Sequence, residues 1–273
     1  MNRRLTVTLT TLTSLALLST SAATYARGLE VYGYAAPKQG DIEAVYTFDY
    51  VQKAGETNKT MSYFGKGQPD ENGVPVVSRE KLAQHTVEFE YGLTDNWSTA
   101  IYMDFEQPKG EDFKYVQTRA VMTRYNFFTK GERFFDAGIY FEYYAPREQY
   151  QGATNDELEV RLILEKDIGA WAIKLNPTLA KIMSGPGVNE AMEFEFSGGV
   201  YRNFADNFKA GVEVFDKFGE IANTKSSKER EGYISPMLDY DIKDGLAVQF
   251  GVAFGMSDAS DDRIVRARLE MEL

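Results

Sequence analysis

Acidic side chains recur two residues apart along the chain, at Asp104 and Glu106, Glu157 and Glu159, and Glu193 and Glu195. Two residues is the repeat of a β-strand, so both members of each pair stand on one face. Several neighbouring strands carrying such pairs would build a ring of carboxylates, and rings of this kind draw cations and repel anions. Asp49 and Glu142 fall in the same phase of their own runs. Arg161, Lys174, Lys209, Arg266 and Arg268 share the polar faces further along, mixed with Glu88, Glu90, Glu213, Asp239 and Asp241. The expected arrangement is an acidic outer vestibule above a waist of mixed charge. The same charges admit a second arrangement, in which they pair with one another and fill the interior.

Other chemistry has less to work with. The chain has one histidine and no cysteine. His85 shares the phase of the apolar residues Val87 and Phe89, and neither Ser78 nor Ser98 sits in a motif that would make it a nucleophile served by a histidine base. Paired carboxylates are too abundant for any one pair to mark a protease. A zinc or copper centre would lack its usual nitrogen and sulfur ligands. Ser257–Asp262 (SDASDD) is acidic but without the spacing of a helix-flanked calcium loop. No catalytic residue, metal or cofactor is therefore expected, and the protein does not read as an enzyme. A formal charge of −11 also argues against nucleic acid as a partner.

The elements that must position these charges are strands. In LAVQFGVAFG, Leu246, Val248, Phe250, Val252 and Phe254 alternate with small or polar residues, which is the period of a half-buried strand. Val265 to Leu273, Thr86 to Leu93 and Glu157 to Glu165 repeat the pattern. About twelve such runs occur, near residues 41–53, 82–93, 97–106, 113–128, 133–145, 156–168, 171–183, 191–203, 208–219, 232–242, 246–255 and 263–273. Short connections alternate with long polar ones, as in outer-membrane barrels with both termini in the periplasm. The predicted fold is all-β, a transmembrane antiparallel up-and-down β-barrel of about twelve strands.

Aromatic residues flank the short connections: Tyr91, Trp97, Phe128, Phe134, Trp171, Phe204 and Phe208. They are the expected girdle at the periplasmic membrane surface. A second set near the long connections, including Tyr50, Phe105, Phe113, Tyr143, Phe218 and Tyr233, would form the outer girdle. A soluble sandwich, or a lipocalin-like barrel with its apolar face inward, would share the alternation. The strand count, the two belts and the charge of the polar face favour the membrane. Pro177 and Pro236 fall inside predicted strands, where local bulges would accommodate them. In the run 113–128, Arg119 and Arg124 lie on opposite faces, so its phase stays open.

Residues 1–26 read as a secretory signal peptide, with Arg3 and Arg4 before a mildly apolar run that closes on Thr24-Tyr25-Ala26. Cleavage there removes two arginines and no acid, taking the formal charge to −13. Residues 27–273 form one barrel domain. Leu29–Tyr34 (LEVYGY) reads as a lead-in tucked at the periplasmic end. The long connection 54–81 is expected either to fold into the barrel as a constriction or to stand outside as a binding surface.

The pieces EYGLTDNWSTAIY (Glu90–Tyr102), LEVRLILEKDIGAWAIKLNPTL (Leu158–Leu179) and YRNFADNFKAGVEVF (Tyr201–Phe215) resemble small bacterial outer-membrane barrels, nearest to transporters of the phenol-degradation meta-pathway type. The likeness is one of hairpin grammar over most of residues 27–273. It implies a bacterial outer-membrane barrel that meets lipid, passes a small solute and is inserted by the barrel-assembly machinery. The chain departs from the commonest terminal pattern, with Leu273 where phenylalanine is expected. The expected function is a channel or porin-like transporter with a cation-preferring, acidic lumen. The alternative is a structural or interaction barrel whose lumen is closed by salt bridges and whose loops bind a partner.

Overall fold

Alternation gives each strand one apolar and one polar face, and twelve strands close into a ring. The computed structural model describes residues 29–147, 155–185 and 187–273; the predicted signal peptide lies outside them. The wall begins with β1 (Ile42–Lys53) and resumes after the first long connection with β5 (Ala83–Thr94), β6 (Trp97–Gln107), β7 (Lys114–Asn126) and β8 (Asp136–Pro146). It continues through β9 (Asp156–Ile168), β10 (Trp171–Ser184), β11 (Glu193–Ala205) and β12 (Phe208–Glu220). β13 (Gly232–Lys243), β14 (Leu246–Gly255) and β15 (Arg263–Glu272) complete it. Successive wall strands pair antiparallel, and β1 pairs with both β5 and β15, which closes the barrel.

Burial settles which face looks where. Along β6, Ser98, Ala100, Tyr102, Asp104 and Glu106 are buried, whereas Trp97 and Ile101 are exposed. Apolar residues such as Phe89, Leu162, Leu179, Val200, Val212, Leu238 and Phe250 are likewise exposed on the outside. A soluble barrel would reverse this. A closed wall with a polar interior and an apolar exterior satisfies every backbone group without water, the condition for crossing a bilayer. The chain is an outer-membrane β-barrel.

Three details of the wall differ from expectation. The prolines are not accommodated by bulges. Leu175 pairs with Leu164 and Thr178 with Arg161, so the β9–β10 ladder skips two positions and keeps its register. Asn176 Nδ2 donates to the Leu162 carbonyl across that gap at 3.4 Å, standing in for the donor that Pro177 lacks. The β13–β14 ladder skips Ser235 and Pro236 in the same way, between Ile234↔Phe254 and Met237↔Gly251. A true bulge occurs in β7, where Val121 faces Glu142 and Thr123 faces Phe141. One extra residue reverses the parity of the strand, so Arg119 and Arg124 both point inward and are almost fully buried. β7 also ends two residues early and β8 starts three late, leaving Phe127, Phe128, Phe134 and Phe135 in the turn.

The long connection 54–81 folds inward. It carries β2 (Thr60–Met61), β3 (Gln68–Pro69) and β4 (Pro75–Ser78), which form a small sheet of their own. Met61, Tyr63 and Val77 from this lid pack on Val51, Val116, Phe215, Tyr233, Ala253 and Ile264 from six wall strands. The Tyr63 hydroxyl donates to the carbonyls of Glu106 (2.8 Å) and Asp112 (2.6 Å). Arg79 and Asp261 make a fully buried ion pair at 2.6 Å that ties the lid to the β14–β15 loop. Burial alone would weaken the Arg79 charge, but Asp261 beside it holds the guanidinium pKa above its ordinary value. Tyr233, expected in the outer girdle, is instead buried in this contact, because β13 turns it inward with Ser235 and Met237.

Candidate functional site

The lumen is where the polar faces of all twelve strands converge, and a segment of the chain runs through it. Leu29–Tyr34 lies inside the barrel with Leu29, Val31, Tyr32 and Tyr34 buried, which corrects its expected place as a lead-in at the periplasmic end. Leu29 joins the apolar cluster beneath the lid. The Tyr34 hydroxyl donates at 2.5 Å to the carbonyl of Phe128 in the short β7–β8 turn, near the opposite end.

Specific wall residues hold this plug. Asn176 is fully buried and treats Tyr32 as a strand would: its Oδ1 accepts from the Tyr32 amide at 2.8 Å, and its Nδ2 donates to the Tyr32 carbonyl at 3.2 Å. Arg124 donates to the carbonyls of Gly33 and Ala35, and Asn126 to that of Tyr34. Arg268 pairs with Glu30. The Arg161 guanidinium lies 4.3 Å from the Tyr32 ring centre, a cation over an aromatic face. Replacing Asn176 with leucine should therefore loosen the plug at the cost of a side-chain hydrogen bond to the wall, that to the Leu162 carbonyl, while every backbone ladder bond stays in place. Two neutral hydrogen bonds are involved, each contributing about 1 kcal/mol. Amide exchange at Tyr32 should rise by roughly a factor of 5–30, measured by hydrogen exchange on the folded barrel. Unchanged exchange would place the anchor at Arg124 instead.

Most of the upper lumen is an ion-pair network. Asp104 accepts from Arg119 at 2.9 Å, and the same guanidinium reaches Glu142 at 3.0 Å. Arg161 pairs with Glu159 at 2.9 Å and lies 4.0 Å from Glu142. Asp49 and Glu213 share Arg266, at 3.2 and 3.1 Å. Gln84 donates to Glu106 at 2.7 Å. Glu157 is buried on the lumen face, whereas Glu193 and Glu195 are half-buried. Among the expected basic residues, Lys209 pairs with Asp239 at 2.9 Å. Lys174 stands 5.1 Å from the Tyr201 ring centre. All eight expected acids and all five expected bases thus lie on the lumen side of their strands. The residues missed were Arg119 and Arg124, whose shared inward direction depends on the β7 bulge, and Asn176, whose neighbour Pro177 was the visible signal.

The plug divides the free space. A polar chamber of about 190 Å³ lies between it and the walls of β1, β5, β10 and β12–β15. A smaller cavity of about 60 Å³ lies higher, beside Arg119, Glu159, Arg161 and Glu195. Glu30 and Tyr32 line both and stand between them. Outside, Tyr91, Trp97, Phe134, Trp171 and Phe204 are exposed near the short turns, and Phe128 and Phe208 are half-buried. His85 is on the same outer surface, bonded to the Tyr46 hydroxyl at 2.6 Å and far from any lumen carboxylate network.

No protein-family model and no curated protein matches the chain. Among solved structures, it is similar to the COG4313 outer membrane channel from Pseudomonas putida F1, at 10% identity and a TM-score of 0.57, covering 89% of this chain and 100% of that one. It is also similar to the KdgM porin, solved in complex with disordered oligogalacturonate, at 10% identity and a TM-score of 0.52, covering 84% and 97%. The outer membrane phospholipase of Salmonella typhi aligns at 10% identity and a TM-score of 0.44, covering 90% of this chain and 93% of that one. At these identities the likeness is one of fold, and the fold it shows is that of bacterial outer-membrane channels and porins.

Proposed function

We propose that the protein passes a small solute across the outer membrane, with a preference for cations and without catalysis. The observation that carries this is the charged chamber of about 190 Å³, which shares Glu30 and Tyr32 of the plug with the upper cavity as common lining. Acids outnumber bases on the lumen faces, so the field inside favours positive charge. A lining for acidic sugars such as the oligogalacturonate of the KdgM complex would need the opposite balance. The resemblance of Glu90–Tyr102 and Leu158–Leu179 to transporters of the phenol-degradation meta-pathway type fits this reading. So does insertion by the barrel-assembly machinery, with Met271 and Leu273 in phase at the terminal strand.

A second reading is favoured by the ion pairs around Arg119 and the apolar lid: a barrel sealed by its own contacts, whose loops bind a partner. Conductance in a planar bilayer under a salt gradient separates the two. Steady cation-preferring steps support passage; silence from protein shown to be folded and inserted rejects it and favours the sealed barrel. Two sets of substitutions locate the preference. Glu157→Gln with Glu193→Gln and Glu195→Gln should move the reversal potential toward zero if the outer vestibule selects. Glu43→Gln with Glu88→Gln and Glu270→Gln should do so if the periplasmic half selects. A potential unmoved by both sets would reject selection by these acids.

A further inference from the structure

Like charges placed directly across a β-ladder repel, and a sheet gains nothing from them. At the periplasmic end of the lumen this chain sets such charges side by side. Glu43 on β1 is the cross-strand partner of Glu272 on β15 and of Glu90 on β5. One step up the barrel, Glu270 and Glu88 flank Val45 in the same way. Arg124 neutralises Glu90, at 3.2 Å, and Arg268 reaches Glu270 at 3.7 Å. Glu43 has neither a hydrogen bond nor an ion pair among the described residues.

The opposite wall carries the complement. β10 stands six places from β1 around the twelve-strand ring in either direction. From it Lys174 enters the same chamber, its amine packed toward the plug at Gly33 beside its cross-strand neighbour Glu165, yet making no hydrogen bond or ion pair among the described residues. Lys209 on β12 lines the chamber beside it. The space between is about 190 Å³, somewhat more than the ~150 Å³ cavity that takes a benzene ring.

We propose that this chamber is a binding site for a small zwitterion, its ammonium group against Glu43, Glu90 and Glu270 and its carboxylate against Lys174. A simple cation would leave the Lys174 amine without a direct ion-pair partner, since its neighbours Glu165, Glu213 and Asp239 act on it only from beyond bonding distance. A simple anion would have to sit opposite a row of carboxylates. A molecule bearing both charges satisfies both walls at once. The site rests on the passage reading for its role, since it would be the solute's resting place below the constriction at Glu30 and Tyr32.

Equilibrium binding to the refolded barrel in detergent tests it without requiring conduction, using γ-aminobutyrate as the probe and butyrate and butylammonium as single-charge controls. The zwitterion should bind at least tenfold more tightly than either control. Lys174→Met should reduce its affinity to that of butylammonium, and Glu43→Gln should weaken both ammonium-bearing probes, with each variant checked for heat-modifiable gel mobility. Equal binding of the three probes, or no binding to a folded barrel, overturns the proposal. A barrel that binds the zwitterion but carries no current keeps the site and rejects passage. One that conducts without binding keeps passage and rejects the site.

Discussion

Excising Leu29–Ala35 and joining the export segment to Ala36 should raise single-channel conductance severalfold while the barrel still forms. The wall's ladders run between β-strands and use none of these residues. What is lost is the plug's own set of contacts: Glu30 on Arg268, Tyr32 on Asn176, Tyr34 on Asn126 and Phe128, two carbonyls on Arg124, and Leu29 from the apolar cluster under the lid. Both lumen cavities are bounded by Glu30 and Tyr32, so removing them merges the two into one water-filled path. Arg268 keeps Glu270 and Arg124 keeps Glu90, so neither arginine is abandoned. An unchanged conductance from a folded variant would move the restriction up to the lid of β2–β4 and its contacts with Phe215 and Tyr233.

The second large effect concerns stability. Arg119 is the cation shared by Asp104 and Glu142, all three with side chains almost or wholly out of water. Arg119→Met strips Asp104 of its cation and leaves Glu142 with Arg161 alone, at 4.0 Å, and removing one partner of a buried pair costs about 3–5 kcal/mol. The cost should appear as a lower urea midpoint for unfolding from lipid vesicles at an unchanged slope. Adding Asp104→Asn and Glu142→Gln should restore most of it, because the penalty lies in the stranded charges rather than in the missing arginine. A single variant as stable as the parent would show that water reaches this level of the lumen and that the network is solvated.

The twelve strands were legible because each alternates with period two, a signal that needs no knowledge of its partners. The inward direction of the charges followed once the apolar face was given to lipid. Legibility ended where parity depends on an inserted residue. Arg119 and Arg124 read as facing opposite ways, and only the bulge between Val121 and Thr123 reconciles them. The pairing of Asp49 with Arg266 joins residues 217 apart in sequence, so it depends on barrel closure and has no local signature. LEVYGY was too short to declare itself as lumen-filling, and its apolar and aromatic alternation suits a lead-in equally well. Pro177 did mark an irregular place, but the compensating donor was the side chain of Asn176 rather than a bulge.

The threaded segment also orders the events of assembly. Its attachments lie far along the chain: Tyr32 meets Asn176 144 residues on, and Glu30 meets Arg268 at a separation of 238. Contacts of that range form slowly, because a long stretch of chain must be arranged first. The seam between β1 and β15 joins the two ends of the wall, and the segment lies inside the hoop that this seam completes. A thread within a hoop is either surrounded as the seam shuts or drawn in through the short-turn end afterwards. In both cases the segment cannot be held by Asn176 until β10 is in place, nor by Arg268 until β15 is, so the last of its attachments forms only when the final strand of the wall arrives.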